Sequence, residues 1–225
     1  MANVVPYLKN HSKSNLASFR ACSKLLASLS EYQNTRKAWK REAMDLLVEP
    51  TFFQMDLESL KHWKMTVDNL MTHDKVTFKD LMAKVASISQ SGSLSLFSSK
   101  EQELEQRALL LKRLAFVIFC SDVDQYQKQM PEIQGEFINL VKFTYLVCQM
   151  KSILLFDVSE RLAESLRTIP TSPTVQSAVF LCFRVILVRM SPQHVTSLWP
   201  LIITEMVQIF SYLEQELSTD SEEWR

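Results

Sequence analysis

Four histidines and four cysteines are the residues of this sequence best suited to metal binding or nucleophilic chemistry. The histidines are His11, His62, His73 and His194. None belongs to an H-E-x-x-H motif, and no two share the spacing of metal ligands. His62 and His73 are eleven residues apart on one predicted helix, nearly on the same face, but a metal site there would need further converging ligands. We interpret both as surface or boundary residues, and predict no metal and no cofactor.

The thiols and carboxylates form no catalytic pattern either. Cys120 follows the apolar stripe of a predicted helix with no histidine or basic group nearby, which is typical of a small core residue rather than a nucleophile. The carboxylate pairs Asp122 with Asp124 and Glu214 with Glu216 are typical of solvated helix faces, and nothing around them indicates a pocket that would separate their pKa values. The sequence predicts no catalytic residue, and we expect a protein that is not an enzyme.

Glycine is scarce in the chain. There are two, Gly92 and Gly135, where average usage of ~7% would give about sixteen. Phosphate-binding loops and nucleophile elbows need glycines at fixed spacing, and none of G-x-G-x-x-G, the Walker loop or G-x-S-x-G occurs. Tight hairpins and bulges also depend on glycine, so the composition favours helices over sheets.

One basic cluster could contact a membrane or a partner. Arg36, Lys37, Lys40 and Arg41 share one side of a predicted helix, whereas Trp39 is predicted to point towards the core. Such a stripe could bind anionic lipid headgroups, at about 1 kcal/mol per residue near a charged surface. The competing interpretation is a solvated helix face whose charge is balanced by acidic residues one turn further on.

Charge and targeting signals narrow the class of protein. Lysine plus arginine equal aspartate plus glutamate at 25 each, which argues against a general nucleic-acid binder. The N-terminus lacks the basic and apolar regions of a signal peptide. The longest apolar stretch, 137–158, is broken by Lys142, Lys151 and Asp157, so it does not read as a membrane span. Because the cysteines are widely spaced, we expect reduced thiols in a cytosolic protein.

Apolar residues recur with helical period through most of the chain. Asp56 is predicted to cap a helix that ends near His73, and Thr77 to open the next one. Ser172-Pro173 is predicted to start a helix that is apolar almost all round, which predicts burial on most sides. A last helix is predicted to be broken or kinked at Pro200.

These helices come in sequential pairs with short turns, which predicts an all-α fold. We expect antiparallel helical hairpins stacked as a HEAT-like α-solenoid, with a closed helical bundle as the alternative. No repeat of fixed length supports the solenoid directly. The predicted organisation has N-terminal hairpins over 1–90, a serine-rich loop over 91–99, C-terminal hairpins over 100–217 and a frayed tail over 218–225.

Several stretches together resemble one protein family. They read RKAWKRE at 36–42, FFQMD at 52–56, DNLMTHDK at 68–75, EQRALLLKRLAF at 105–116, DQYQ at 124–127 and RMSPQHVTSLWP at 189–200. On these stretches, the sequence is similar to the C-terminal region of the Dopey family over most of its length.

The resemblance implies a process and a location. Dopey proteins are very large cytosolic scaffolds, so it implies a non-catalytic segment in vesicle-mediated protein transport between Golgi and endosomes. The implied location is peripheral, on the cytosolic face of Golgi, trans-Golgi network and endosome membranes. The implied partners are a Mon2-type scaffold and, in some members, a lipid flippase; neither nucleic acid nor a small-molecule substrate is implied. The family offers no catalytic residues to transfer onto this sequence.

Two features depart from the family pattern. The chain is a small fraction of a family member, and we expect a fragment or a short product. The pattern passes from 131–134 directly to 160–166, whereas here residues 135–159 intervene, and we predict that they are an insertion. Because this segment is apolar, it would either expose a large patch or shift the downstream helix pairing. Deleting 135–159 should therefore raise the melting midpoint, and a lower midpoint would contradict this interpretation.

Overall fold

The computed structural model describes residues 1–73, 76–83, 100–133 and 173–223, and within these ranges every regular element is a helix. The predicted all-α class is therefore confirmed. The α-helices are α1 (Val5–Lys9), α2 (Leu16–Ser30), α3 (Arg36–Val48), α4 (Leu57–Thr72), α5 (described over 76–83), α6 (Lys100–Cys120), α7 (Pro173–Arg189), α8 (Pro192–Val195) and α9 (Trp199–Glu223). Short 3-10 turns precede several of them, and residues 130–133 are also helical.

The start of α4 shows how the sequence sets a helix boundary. A carboxylate oxygen of Asp56 accepts hydrogen bonds from the backbone N–H groups of Glu58 and Ser59, at 2.9 and 3.0 Å. These are two of the N–H groups that a helix leaves without an internal partner. The helix ends at Thr72, with His73 as its C-cap. The predicted cap and the predicted end are both confirmed.

The described helices pack on their neighbours along the chain. Helix α2 contacts α3 and α4, α4 contacts α6, and α6 packs along α7 in the most extensive helix pair. One cluster of buried apolar side chains extends from Leu8 in α1 to Ile202 in α9. Among the described residues, the core therefore includes members of both predicted sets of hairpins, 1–90 and 100–217.

Aromatic rings connect the first helices to α6. The ring of Phe52, in the turn between α3 and α4, lies edge-on to Trp63 of α4 at 5.1 Å between centroids. It meets Phe116 of α6 at 5.6 Å, and Phe53 also contacts Phe116, at 6.0 Å. Edge-to-face pairs of this kind contribute about 0.5–1.5 kcal/mol beyond the burial of their area.

Two arginines cap the carboxyl ends of helices distant in sequence. Arg113 of α6 donates from Nε to the carbonyl oxygen of Leu47 and from Nη2 to that of Glu49, both at 2.9 Å, at the end of α3. Arg189 at the end of α7 donates twice to the carbonyl oxygen of Phe119 in the last turn of α6. Terminal helix carbonyls need such donors, and their negative partial charge favours a cation.

Three sequence predictions differ from the structure. Helix α7 is not buried on most sides, because Leu181, Leu187 and Val188 are 40%, 39% and 63% exposed. Pro200 does not break the last helix: it is the second residue of α9, where a missing N–H leaves no internal hydrogen bond unmade. Thr77 does not open α5, since the helix already includes Val76.

Other parts of the predicted organisation lie beyond what the structure tests. Neighbour-to-neighbour packing suits both a solenoid and a bundle, so the HEAT-like arrangement stays a prediction. The serine-rich loop 91–99 and the insertion 135–159 fall outside the described residues. Helix α9 includes residues 218–223, and the fraying of the tail 218–225 stays a prediction. Within the described ranges, no helix has both the length and the apolar character needed to cross a membrane.

Candidate functional site

An open apolar groove lies between α6 and α7, and it is also lined by Phe53 and by Leu60 of α4. It encloses about 510 Å³. Helix α6 contributes Lys112, Ala115, Phe116 and Phe119, and helix α7 contributes Leu181, Arg184, Val185 and Val188. Both sets have the spacing i, i+3, i+4 and i+7, which places each set on one face of its helix. We call this feature the α6–α7 groove.

The α6–α7 groove has a covered floor and exposed walls. Its floor is formed by Ala115 and Val185, which are 1% and 9% exposed. The apolar wall residues Phe119, Leu181 and Val188 are at least 40% exposed. Exposed apolar surface of this kind, concentrated in a concave feature, is typical of a binding site for another molecule.

Cations surround this apolar surface. Lys112 and Arg184 are among the lining residues, one on each wall. At the Phe119 end, the ammonium of Lys64 lies 5.1 Å from the ring centroid and the guanidinium carbon of Arg189 lies 5.4 Å from it. None of the described residues that line the groove is acidic. The groove therefore presents an apolar floor with a positively charged border.

Titratable groups gather at the same carboxyl end of α6, around Cys120 next to Phe119, but in a form unsuited to catalysis. Burial raises the pKa of Asp68, and the nearby carboxylate of Asp122 raises it further, against the opposing effects of Lys64, Arg189 and His73. This carboxyl group is therefore held closer to its neutral form than an exposed one.

The thiol and phenol beside Asp68 are inert at neutral pH. Burial raises the pKa of Cys120 and of Tyr126, and the charge of Asp68 acts in the same direction on both. Both side chains are 4% exposed, and the Tyr126 ring stacks on Phe78 at 4.3 Å. A protonated, inaccessible thiol is not a nucleophile, so the interpretation of Cys120 as a core residue is confirmed.

Asp124 has a structural role. Its backbone has φ of 61°, a left-handed conformation that aspartate tolerates better than most residues. Its carboxylate accepts hydrogen bonds from the backbone N–H of Ser191, at 2.7 Å, and from the Ser191 hydroxyl. These bonds lower the pKa of Asp124. Its own N–H donates to the carbonyl oxygen of Arg189 at 2.9 Å, so Asp124 joins the segment after α6 to the turn after α7.

The predicted basic cluster occupies the first turns of α3. Trp39 is fully buried, which confirms its predicted direction, and its indole N–H donates to the Thr35 hydroxyl at 3.1 Å. Lys37 and Arg41 are exposed, whereas Arg36 and Lys40 are half-buried.

Some of these cations already have partners. Arg36 donates from Nη2 to the hydroxyl of Thr77 in α5 at 3.0 Å. Arg41 lies 3.9 Å from a carboxylate oxygen of Asp45, one turn along α3. The role of the four basic residues in binding lipid or a partner stays a prediction.

The histidines are dispersed: His62 and His194 lie in α4 and α8, His73 is the C-cap of α4, and His11 follows α1. His11 lies against the ring of Phe19, at 4.9 Å between centroids, and burial lowers the pKa of His11. In the part of the chain that the structure describes, no three histidine, cysteine, aspartate or glutamate side chains are arranged to hold a metal ion.

Sequence reasoning did not identify the α6–α7 groove. The available signal was the position of Arg184 in an apolar helix, one turn from Leu181 and from Val188. A charged residue on that face indicates contact with solvent, and its apolar neighbours are then exposed with it.

Comparison with known proteins places this helical chain in a family. A family model described as DOP1 C-terminal matches residues 1–224. The chain is 55% identical over 221 residues to the protein DOP1 homolog of Drosophila melanogaster, covering 98% of this chain and 8% of that protein. It is 45% identical to protein DOP1B of Mus musculus, covering 97% of this chain and 8% of that protein.

A nematode relative extends the match. The chain is 43% identical to protein pad-1 of Caenorhabditis elegans, over 99% of this chain and 8% of that protein. No solved structure matches the chain. Because the family model covers nearly every residue, the chain belongs to the Dopey family and corresponds to its C-terminal region.

Proposed function

We propose that this chain is a non-catalytic helical scaffold segment in vesicle-mediated protein transport between Golgi and endosomes, and that it acts through protein–protein contacts. The α6–α7 groove is the observation that carries the proposal, because it offers exposed apolar side chains in a concave surface. Membership of the Dopey family supports the trafficking process.

The chemistry of the described residues favours binding over catalysis. The thiols of Cys120 and Cys182 are buried with raised pKa values, and the carboxylate of Asp124 is committed to hydrogen bonds with Ser191. Protein interfaces, by contrast, need apolar anchors such as Phe119 within a polar border.

The proposed setting is peripheral. The protein would act on the cytosolic face of Golgi, trans-Golgi network and endosome membranes, within a complex that includes a Mon2-type scaffold and, in some cases, a lipid flippase. The chain spans 8% of the length of the fly and mouse relatives it matches, so it would supply one contact surface of a much larger scaffold.

The test uses a full-length family member that contains this region. We expect Val188→Asp in the groove to reduce co-purification of the Mon2-type scaffold or the flippase and to weaken Golgi and endosome localisation. The control is Val123→Asp, which places the same change at a residue 59% exposed, against 63% for Val188. Equal co-purification and equal localisation for both variants and the wild type would contradict the proposal.

The alternative function is a peripheral membrane-binding module that recognises acidic lipids through Arg36, Lys37, Lys40 and Arg41. It is favoured by the orientation of α3: Trp39 is buried in the core, whereas Lys37 and Arg41 are exposed to solvent. Each such cation contributes about 1 kcal/mol near an anionic surface.

Liposome flotation separates the two functions. Vesicles with phosphatidylserine should bind the chain more than vesicles of phosphatidylcholine alone if the α3 cations contact lipid. Lys37→Glu with Arg41→Glu should then abolish flotation. Lys13→Glu with Lys24→Glu, two exposed lysines outside the cluster, should leave it intact. Flotation that is equal for all variants would contradict the lipid function.

A further inference from the structure

We propose that the α6–α7 groove binds an amphipathic α-helix of a partner protein, whose apolar stripe is flanked by aspartate and glutamate. The inference rests on the proposed function, because it specifies the kind of partner that the scaffold segment holds. It follows from the shape of the groove, the exposure of its walls and the charge of its border.

The shape of the groove fits a helix. On each wall the lining residues extend over seven residue steps, from Lys112 to Phe119 and from Leu181 to Val188. At about 1.5 Å per residue each stripe is ~10 Å long, which is two helical turns. Two stripes of i, i+3, i+4, i+7 side chains with a recessed floor form the surface onto which a third helix packs with its own ridge of residues.

The exposure of the walls identifies the anchor points. Phe119 and Leu181 are 42% and 40% exposed, and Val188 is 63% exposed, whereas the floor residue Ala115 is 1% exposed. A helix in the groove would cover the three wall residues and place its own apolar side chains over the floor. A flat bilayer surface would contact the protruding walls but could not reach the recessed floor, so the concave shape favours a helix over a membrane.

The border selects the charge of the partner. The charge of the border comes from Lys112 and Arg184, which line opposite walls. Lys64 and Arg189 lie over the Phe119 ring, where the nearby carboxyl group of Asp68 partly offsets their charge. A helix with carboxylates on both sides of its apolar stripe would place opposite charges next to these cations, whereas a helix flanked by lysine would be repelled.

One end of the site is already ordered. Arg189 is held by hydrogen bonds from Nε and Nη2 to the carbonyl oxygen of Phe119, at 3.0 and 2.7 Å. Its position is therefore fixed before binding, and less side-chain freedom is lost when a partner binds.

The experiment uses the 225-residue chain and two labelled helical probe peptides of about 21 residues, or about six turns. Both peptides have the same leucine stripe, flanked by glutamate in one and by lysine in the other. Fluorescence anisotropy should show that the glutamate peptide binds at least about tenfold more tightly than the lysine peptide.

Groove variants assign that binding to the site. Val188→Asp should weaken binding of the glutamate peptide by about tenfold or more, whereas Val123→Asp should leave it unchanged. Lys112→Glu with Arg184→Glu should reverse the preference, so that the lysine peptide binds more tightly. Circular dichroism and thermal melting of each variant show whether the fold is retained, and the reversed preference gives a gain of binding that misfolding would not produce.

Several results would overturn the inference. If Val188→Asp changed the affinity of neither peptide, the peptides would be binding elsewhere on the chain. Light scattering that shows a dimer lost in Val188→Asp would assign the groove to a second copy of the chain. Binding of phosphatidylserine vesicles that is lost in Val188→Asp, with no peptide binding, would assign it to lipid. If no peptide binds but Val188→Asp still removes partners in cells, the proposed function holds and only the acidic helix is wrong.

Discussion

The guanidinium of Arg189 donates two hydrogen bonds to the carbonyl oxygen of Phe119, and it also lies 5.4 Å over the ring of the same residue. One side chain of α7 thereby satisfies the carboxyl end of α6 and fixes a wall of the α6–α7 groove. Stability and the candidate binding surface are therefore coupled at this pair.

Replacing Arg189 with lysine should show how much its hydrogen bonds to Phe119 contribute to stability. Lysine keeps the charge but cannot donate in the planar geometry of a guanidinium. We expect a loss of about 1 kcal/mol in the free energy of unfolding, measured by urea denaturation. Arg184→Lys, on the exposed side of the same helix, is the control and should change stability little. Equal stability of both variants would show that the hydrogen bonds to Phe119 contribute nothing.

Replacing Arg113 with methionine should lower the free energy of unfolding more than Arg189→Lys does. Arg113 is 5% exposed, and its two hydrogen bonds reach the carbonyl oxygens of Leu47 and Glu49. Methionine would fill part of the space but leave both carbonyls without these donors, at a cost of about 3 kcal/mol. Lys112→Met, at the adjacent half-buried residue, should change the unfolding free energy by less than ~0.5 kcal/mol in the same assay.

Asp56 should make stability depend on pH in the acidic range. Its burial acts to raise the pKa, but hydrogen bonds from Ser59, Arg20 and Glu58 outweigh this effect, so the folded-state pKa of Asp56 is lowered from 3.8. The stabilisation is therefore present above the unfolded pKa and is lost as the pH falls through the folded pKa.

Two substitutions at Asp56 test this cap. Asp56→Ala should lower the unfolding free energy by about 1 kcal/mol at neutral pH, whereas Asp56→Asn can still cap α4. The asparagine variant should lose the dependence on pH that Asp56 contributes near and below pH 3.8. If the melting midpoint fell by the same amount with decreasing pH in the wild type and in Asp56→Asn, the assignment would be contradicted.

Thiol reactivity should report burial. Burial raises the pKa of Cys120 and of Cys182, and both are at most 4% exposed. We expect iodoacetamide to modify them only when the chain unfolds, while Cys22, which is partly exposed, reacts earlier. Mass spectrometry of peptides from a labelling time course distinguishes the sites. Modification of Cys120 as fast as that of Cys22 would indicate an accessible thiol.

Local rules predicted much of the fold. The cap at Asp56, the end of α4 at His73 and the direction of Trp39 all depend on neighbours within one or two helical turns. Such features follow from side-chain type and helical period alone.

The groove and the distant caps could not be predicted in the same way. Helix α7 has almost no polar side, so its period does not say which face α6 covers. The contacts of Arg113 with Leu47 and of Asp124 with Ser191 join residues 66 and 67 positions apart. No periodic pattern relates residues at such separations, because their meeting depends on how whole helices pack.

The shared core also decides how the chain should behave when it is cut. Phe52 and Phe116 pack together, and Arg113 is bonded to the end of α3, although these residues come from opposite sides of the segment 91–99. A single proteolytic nick within 91–99 should therefore leave two pieces that co-elute as one complex. Expressed separately, each of the two pieces should lack part of the core and melt without cooperativity. Mixing them should restore a cooperative melt by fragment complementation.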